Sequence, residues 1–344
     1  MKQEPDYMKG RGAQYNAHNP YSATHYVQEN LEALDEPLLE NSPTEFLLEH
    51  PRRIINVVKS PDIPMDYSIN PYQGCEHGCT YCYARVTHQY WGLSAGLDFE
   101  RKIVVKENAA ELLRHEIGKK GYKCKPILLS GNTDCYQPAE RRYGITRQLL
   151  EVMAAFRQPV GIITKNSLIL RDMDILSEMA KDNLVRVNIS ITTLDEGLRR
   201  VMEPRTATSA QRLKTVEQLT QAGIPVNVMI APIIPGLTSE ELVPIMKAAA
   251  AAGAVTAGYT LVRLNGAIGE IFTDWIRKNL PDRAEKVLRQ VAEAHGGSLG
   301  DSRPGTRLRG EGNLAEAIRR LFKMAHLKYM PPSTVPPMNT DSFR

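Results

Sequence analysis

The stretch NPYQGCEHGCTYCYAR, residues 70–85, contains three of the chain's five cysteines within eight positions. They follow a Cys-x3-Cys-x2-Cys spacing: Cys75, Cys79 and Cys82. Gly74 and Gly78 give the backbone the freedom that a tight loop needs if these thiolates are to converge on one centre. Structural zinc sites and ordinary iron–sulfur clusters usually take four protein ligands, whereas the local count here is three. The stretch therefore predicts a metal centre with an incomplete set of protein ligands.

From Asp66 to Val262 the chain alternates short β-branched runs with amphipathic segments. After a first strand that ends at Ile69, the predicted strands are Lys102–Lys106, Pro126–Ser130, Val160–Thr164, Val185–Ile191, Val226–Ala231 and Ala257–Val262. The predicted helices are Tyr83–Trp91, Asn108–Lys119, Thr146–Phe156, Asp172–Lys181, Gln211–Ala222 and Glu240–Ala252. Continuous apolar strands separated by helices indicate a parallel sheet covered on both faces, hence an α/β barrel or partial barrel. The cysteine loop then lies at the carboxyl end of the strands, where barrel active sites are found.

The two ends of the chain have a different pattern. Residues 1–60 predict an irregular N-terminal extension, with a short helix starting at residues 44–48 and a solvated tail around residues 9–12. Residues 61–265 are assigned to the barrel and 266–344 to a C-terminal helical layer and tail. The helices predicted in that layer are Glu270–Asn279, Asp282–Ala294 and Leu314–Leu327.

Composition and charge place few limits on function. The net charge of +4 and a pI of about 8.7 permit an anionic substrate without requiring one. No apolar run is long enough to span a bilayer, and the N-terminus lacks the apolar core of a secretion signal. Five cysteines, an odd number with three clustered, do not suggest a disulfide framework. We therefore expect a cytoplasmic protein with no membrane association.

The complete cysteine string resembles the cluster loop of radical S-adenosylmethionine (SAM) enzymes. Its Gly-Cys-Glu-His-Gly-Cys-x-Tyr-Cys-Tyr-Ala pattern is most similar to the spore photoproduct lyase-like, or DNA-repair-photolyase-like, members. The resemblance implies a (β/α)6 partial barrel of the TIM type and a 4Fe-4S cluster on Cys75, Cys79 and Cys82, whose fourth iron binds SAM. It also implies a one-electron donor such as flavodoxin or ferredoxin, and cleavage of SAM to methionine and a 5′-deoxyadenosyl radical that abstracts hydrogen from a substrate.

Polar side chains at the ends of the predicted strands are the expected SAM contacts. The resemblance and the chemistry of these side chains together assign the cofactor to Tyr81, Ser130, Asn132, Thr133, Asp134, Lys165, Ser190 and Arg205. Each has an ordinary alternative: an Asx-type turn after the strand, a solvated lysine, a buried polar layer, a surface salt bridge or core packing.

Cys135 and Tyr83 are the predicted catalytic residues, as a hydrogen-atom donor and a radical relay; the alternative for Cys135 is an inert thiol. In the resembling lyase a hydrogen-donating cysteine precedes a Ser-Asp pair, and Gly131 stands at the nearest position here, which weighs against lesion repair. The arginines of the loop 296–312 have two interpretations, contacts to an anionic substrate or SAM and a mobile basic surface: Arg303, Arg307 and Arg309.

Two classes of function stay open at this point. The resemblance and the mild basicity favour a nucleic-acid substrate, although the chain lacks a dense basic patch interleaved with aromatic residues. A peptide or a small metabolite is the other enzymatic choice. The non-enzymatic alternative is a zinc-stabilised binding protein that uses the three cysteines with His77 or His88. The oligomeric state is not predicted.

Overall fold

A computed structural model describes residues 7–22, 43–330, 332 and 335–344, so part of the predicted N-terminal extension lies outside the described residues. The strands are β1 (Glu45–Glu49), β2 (Asn56–Val57), β3 (Tyr67–Ile69), β4 (Tyr72–Gln73), β5 (Lys102–Lys106), β6 (Ile127–Leu129), β7 (Val160–Thr164), β8 (Val185–Ser190), β9 (Val226–Ile233) and β10 (Thr256–Leu261).

Helices connect most of these strands. The α-helices are α1 (Leu97–Arg101), α2 (Ala109–Ile117), α3 (Glu140–Tyr143), α4 (Ile145–Ala155), α5 (Met173–Lys181), α6 (Glu196–Met202), α7 (Ser209–Gln221), α8 (Leu242–Ala251), α9 (Ala267–Asn279), α10 (Pro281–Glu293) and α11 (Gly312–Tyr329). Three 3-10 helices span Tyr83–Trp91, Ser167–Asp172 and Ser239–Glu241. Among the described residues, no helix is both long enough and apolar enough to cross a membrane.

Six parallel strands form the main sheet, in the order β10-β9-β8-β7-β6-β3, and β2 pairs antiparallel with β3 at one edge. The sheet is open between β10 and β2. Its strands consist largely of buried branched residues such as Val160, Ile162, Val187 and Val228, because helices cover the outer face. The predicted α/β fold with a partial barrel is confirmed.

Two predictions about strands were wrong. Lys102–Lys106, assigned to the barrel, forms the centre of a separate three-stranded sheet of order β1-β5-β4. Residues 44–48 were expected to begin a helix, but Glu45–Glu49 is a strand that pairs in parallel with β5 along its whole length. Pairing with an available neighbouring strand outweighs the weak intrinsic helix preference of such a short segment.

The N-terminal segment, residues 7–22, packs on the cysteine loop and is not the predicted solvated tail. Its Arg11 side chain is buried and donates to the backbone oxygen of Glu100 (2.9 Å). The amides of Gly12 and Ala13 donate to the Glu100 carboxylate at 3.1 and 2.8 Å. Arg85, which follows the cysteines, reaches the same carboxylate at 2.5 Å. The buried Glu100 carboxylate is paired with Arg85 and bonded to the amides of the N-terminal segment, and these contacts hold the segment against the cysteine loop.

The C-terminal helices cover the barrel as a layer, with α11 packed against α8 and α10 against α9. Trp275 anchors α9: its side chain is fully buried and its indole N–H donates to the backbone oxygen of Val201 (2.9 Å). The boundaries at 60/61 and 265/266 stay predictions, because the described contacts run continuously across them.

Replacing Gly12 by alanine tests the packing of the N-terminal segment. A Cβ at this position would lie 1.8 Å from the Gly78 backbone oxygen, so the segment must move off the cysteine loop. We expect the free energy of unfolding, measured by urea denaturation, to fall by about 1–3 kcal/mol. The matched control is Gly197→Ala on the exposed face of α6, expected to change it by less than about 1 kcal/mol. Equal effects of the two changes would contradict the proposed contact.

Candidate active site

A cavity of about 330 Å³ opens at the carboxyl ends of the parallel strands. Its volume lies within the usual range of small-molecule sites, roughly 300–1,000 Å³. All three clustered cysteines line it, together with most of the predicted cofactor contacts: Tyr81, Ser130, Asn132, Thr133, Asp134, Lys165 and Ser190. Apolar side chains complete the wall: Ile63, Phe99, Leu128, Ile163, Met229, Leu261, Val262 and Leu308.

The cysteine loop is shaped by two glycines in the left-handed region of backbone conformation. Gly74 has a φ of 81° and Gly78 one of 68°. A Cβ on Gly78 would lie 2.8 Å from the Glu100 carboxylate, so the position requires glycine for space as well as conformation. The Cys75 amide donates to the Phe99 backbone oxygen at 2.8 Å and fixes the start of the loop.

The three thiols form no disulfide bond, and the negative groups around them suit the binding of a positively charged metal centre. Burial raises the pKa of all three, and the negative charges of Asp134 and of the other two thiolates raise the pKa of Cys75 further. Thiolates that destabilise one another need a nearby positive charge, and metal coordination supplies it. These residues therefore fit an iron–sulfur cluster.

A single zinc ion fits the loop less well. In the described part of the chain, no group of three or more His, Cys, Asp or Glu side chains could hold one metal ion. A tetrahedral zinc site draws its sulfurs to about 2.3 Å from one point, whereas each thiolate of an iron–sulfur cluster binds a different iron. Of the two histidines considered, His88 packs against Phe99 outside the cavity lining, and His77 bonds to Asp134 and Asn166.

Asp134 joins the cysteine loop to the ends of two strands. Its carboxylate accepts hydrogen bonds from the Thr164 hydroxyl and the Lys165 amide, both at 2.8 Å, and lies 3.3 Å from His77 Nδ1. Burial opposes ionisation of this carboxyl, but His77 and the hydrogen bonds outweigh burial and lower its pKa. Asp134 therefore lines the cavity as a fixed carboxylate whose oxygens already hold protein donors.

The turn after β6 presents the other predicted contacts of this region. Ser130 has a φ of 75°, unusual for a residue with a side chain, and its hydroxyl accepts from the Cys135 amide at 2.5 Å. Thr133 donates to the Tyr72 backbone oxygen at 2.5 Å. Asn132 lines the cavity; its side-chain NH2 donates to the Thr87 hydroxyl at 3.1 Å, and its side-chain carbonyl oxygen is an acceptor.

Lys165 and Tyr81 meet a carboxylate that the sequence analysis passed over. Glu203 is fully buried, accepts hydrogen bonds from Tyr81 and from Thr192 (2.7 Å), and pairs with Arg212 at 2.5 Å. The Lys165 ammonium lies 3.9 Å from it and donates to the Ala231 backbone oxygen (3.2 Å). Burial would raise the pKa of Glu203, yet the two cations lower it to about 2.

One predicted contact, Arg205, and one predicted catalytic residue, Cys135, lie outside the cavity lining. Cys135 is fully buried in the hydrophobic core and does not line the cavity, because the turn after β6 directs it behind Ser130. This placement does not suit a hydrogen-atom donor. Arg205 also lies outside the lining: it donates to the Gly10 backbone oxygen (3.2 Å) and sits 3.7 Å from Glu76. It therefore holds the N-terminal segment, as in the salt-bridge alternative.

Tyr83 does line the cavity. Its side chain is 48% exposed, and its hydroxyl donates to the Gly131 backbone oxygen at 2.6 Å. The contact closes one side of the cavity between the cysteine loop and the turn after β6. Its radical-relay role stays a prediction.

The three arginines of the loop 296–312 are paired within the protein and do not line the cavity. Arg303 pairs with Asp301 (3.0 Å) and Glu311, Arg307 pairs with Asp62 (2.5 Å), and Arg309 lies over the Tyr259 ring (4.4 Å). These partners agree with neither of the two interpretations of the loop, a contact to an anionic ligand or a mobile basic surface.

Sequence reasoning missed three polar residues of the cavity wall, Thr164, Thr260 and Arg263, and considered His77 only as a zinc ligand. All three lie within two residues of the carboxyl end of a strand, the position that had selected Lys165. Applying that rule to every strand end would have found them.

The fold and the site define an α/β protein of the partial-barrel type with three free thiols at the carboxyl ends of its strands. The family model described as "Radical SAM superfamily" matches residues 69–249, and the chain belongs to this superfamily. Members use SAM and an iron–sulfur cluster, and they need an electron donor.

Relatives at higher identity are themselves uncharacterized. A protein of Mycobacterium tuberculosis is 36% identical over 222 residues, 64% of this chain and 65% of that protein, so the match spans less than two thirds of the relative's length. A protein of Methanocaldococcus jannaschii is 29% identical over 252 residues, 73% of this chain and 90% of that protein.

Solved structures of spore photoproduct lyase share the fold. A mutant with bound AdoMet and dinucleoside spore photoproduct gives a TM-score of 0.60 at 15% identity, covering 83% of this chain and 79% of that one. The lyase complexed with dinucleoside spore photoproduct gives 0.59 at 14%, covering 83% and 80%. At this identity the similarity establishes the fold alone.

Glu203→Gln tests the buried carboxylate beside Lys165. The folded pKa of about 2 lies below the unfolded value, so this group stabilises the protein above about pH 4.5 and loses that contribution as pH falls toward 2. We expect the variant to lose about 3 kcal/mol of unfolding free energy at pH 7 and to depend less on pH between 2 and 5. Urea denaturation over that range measures both effects. The control is Glu178→Gln, on an exposed ion pair, where a change above about 1 kcal/mol is not expected.

Proposed function

We propose that Cys75, Cys79 and Cys82 hold a 4Fe-4S cluster and that the protein uses it to cleave SAM reductively and remove a hydrogen atom from a substrate. The observation that carries this proposal is the set of three free thiols on one wall of a cavity whose other walls are polar strand ends. When bound, the cluster delivers one electron to SAM, which gives methionine and a 5′-deoxyadenosyl radical.

The chain's own residues bind and orient the cofactor. Its ammonium group requires acceptors, and two residues of the cavity lining carry them, Asn132 with its side-chain carbonyl and Ser130 with its hydroxyl. Its carboxylate requires a donor, and Lys165 is the cation at the next strand end. The Lys165 ammonium lies 3.9 Å from the Glu203 carboxylate and 5.9 Å from the centroid of the Tyr81 ring.

The same cavity protects a radical from water. Apolar side chains from β6, β9, β10 and the loop 296–312 surround the polar groups: Leu128, Met229, Leu261 and Leu308. A site that excludes solvent prevents side reactions of a reactive intermediate. The protein's contribution is then positioning and exclusion, because the cofactor supplies the bond-breaking chemistry.

The substrate and setting are further proposals. A nucleic acid is favoured by the sequence pattern shared with spore photoproduct lyase-like proteins, and a peptide or small metabolite is the alternative. A flavodoxin or ferredoxin would serve as electron donor. Five free thiols suit a reducing cytoplasm.

Anaerobic purification tests the proposal directly. We expect a brown protein with broad visible absorption that forms 5′-deoxyadenosine from SAM and dithionite. A colourless protein with one tightly bound zinc would refute the cluster assignment. Deuterium transfer from labelled candidate substrates into 5′-deoxyadenosine would then identify the substrate class.

Single serine substitutions of Cys75, Cys79 and Cys82 should each remove most of the iron and the visible absorption, because a thiolate ligand is lost. The matched control is Cys124→Ser, a half-buried thiol that does not line the cavity and should leave both unchanged. Iron and sulfide analysis with electron paramagnetic resonance of the reduced protein measures the result. Full cluster content in all three variants would contradict the ligand assignment.

Lys165→Met tests the SAM carboxylate contact. Losing a charge-assisted hydrogen bond should weaken SAM binding about tenfold or more, measured by equilibrium dialysis on the reconstituted protein. Lys181→Met, on the exposed end of α5, is the control and should bind SAM like the wild type. Because Lys165 also supports Glu203, circular dichroism must show that the variant is folded. Unchanged affinity in a folded variant would assign Lys165 to structure alone.

A further inference from the structure

The cavity has two cationic side chains, and only one of them has a hydrogen-bond acceptor among the described residues. Lys165 donates to the Ala231 backbone oxygen, as described above. Arg263, two residues after β10, lines the same cavity and lies over the Tyr83 ring at 5.7 Å, but no carboxylate or carbonyl of the described chain accepts from its guanidinium. Its five N–H donors are therefore available to a ligand.

The carboxylates closest to Arg263 are already bound by other arginines. Asp62 accepts from Arg307 and from the Gly305 amide (2.7 Å). Asp301 accepts from Arg303 at 3.0 Å. Burial lowers the pKa of Arg263, and repulsion from Arg307 lowers it further, so the charged side chain is destabilised where it stands. An anion bound in the cavity would relieve this cost.

The position of Arg263 separates it from the groups assigned to SAM. Most of those groups lie at the ends of β6, β7 and β8, whereas Arg263 lies two residues after β10, and β9 stands between β8 and β10 in the sheet. Its contact with Tyr83 joins the last strand to the loop after β3 and so spans the open side of the sheet. Leu308 and Ile63 line the cavity on this side. A molecule entering here meets the guanidinium beside the cysteine loop.

We propose that Arg263 binds a singly charged oxyanion of the substrate, a phosphodiester or a carboxylate, and positions the substrate on the open side of the barrel. This inference rests on the proposed function, because it requires a substrate beside SAM. A planar guanidinium pairs with two oxygens of such a group at once and sets the orientation of what carries it. Arg263 is thus a positioning and specificity residue, and neutral substrates of the same size would bind less well.

The test uses the anaerobically reconstituted protein without reductant, titrated separately with dimethyl phosphate, acetate and SAM. Thermal-shift titrations give the apparent dissociation constant of each. We expect Arg263→Gln to weaken binding of at least one oxyanion about tenfold or more, and Arg263→Lys to weaken it less. The preferred probe then tells a phosphodiester substrate from a carboxylate substrate. Arg277→Gln, an exposed arginine of α9 paired with Glu285, is the matched control.

Two outcomes would overturn the inference. If Arg263→Gln weakens SAM binding more than binding of either oxyanion, the arginine serves the cofactor. If neither oxyanion distinguishes the wild type from Arg263→Gln, the cavity has no anion site at this residue. Either result can be told apart from a failure of the proposed function. That failure would appear as wild-type protein that forms no 5′-deoxyadenosine from SAM and dithionite.

Discussion

The site depends on one buried carboxylate that connects separate parts of the chain. Asp134 receives hydrogen bonds from the end of β7 and faces His77, which belongs to the cysteine loop. Parallel strands bring their carboxyl ends to one edge of a sheet, but that alone does not set where a flexible loop lies above it. The contact with His77 and the two hydrogen bonds from Thr164 and Lys165 fix the loop over the strand ends, so that thiols and polar groups share one cavity.

Two further buried carboxylates organise the surroundings in the same way. Glu100 pairs with Arg85 and anchors the N-terminal segment beneath the cysteine loop. Glu203 pairs with Arg212 and supports Lys165. Breaking a buried pair by removing one partner leaves an uncompensated charge and costs about 3–5 kcal/mol. These acids are therefore scaffolding, and the groups left to meet ligands are thiols, hydroxyls, amides and the cations that line the cavity.

The cavity has two regions, which differ in whether their polar and charged side chains already have hydrogen-bond partners in the protein. On the side of β6 to β8, polar groups are held by neighbours and present acceptors and one paired lysine. On the open side of the sheet, Arg263 contacts the Tyr83 ring but has no hydrogen-bond acceptor within the described part of the chain, and apolar side chains line the cavity there. SAM carries an ammonium and a carboxylate in one amino-acid group, which suits the acceptors and the lysine of the first region. An anionic substrate suits the arginine of the second.

The sequence by itself determined the class of fold, the cysteine loop and most of the polar residues of the cavity wall. Strand periodicity and Cys-x3-Cys-x2-Cys spacing are local properties, so they are readable along the chain. Tertiary structure alone decided the rest. Cys135 directly follows a predicted contact and Arg205 is itself one, yet a turn buries the first in the core and the second bonds to the N-terminal segment and to Glu76. The pairing of charged side chains depends on residues that are far apart in sequence, as in the pair of Arg307 with Asp62. Arg307 is occupied by this pair, whereas Arg263 has no such partner among the described residues and can bind a ligand.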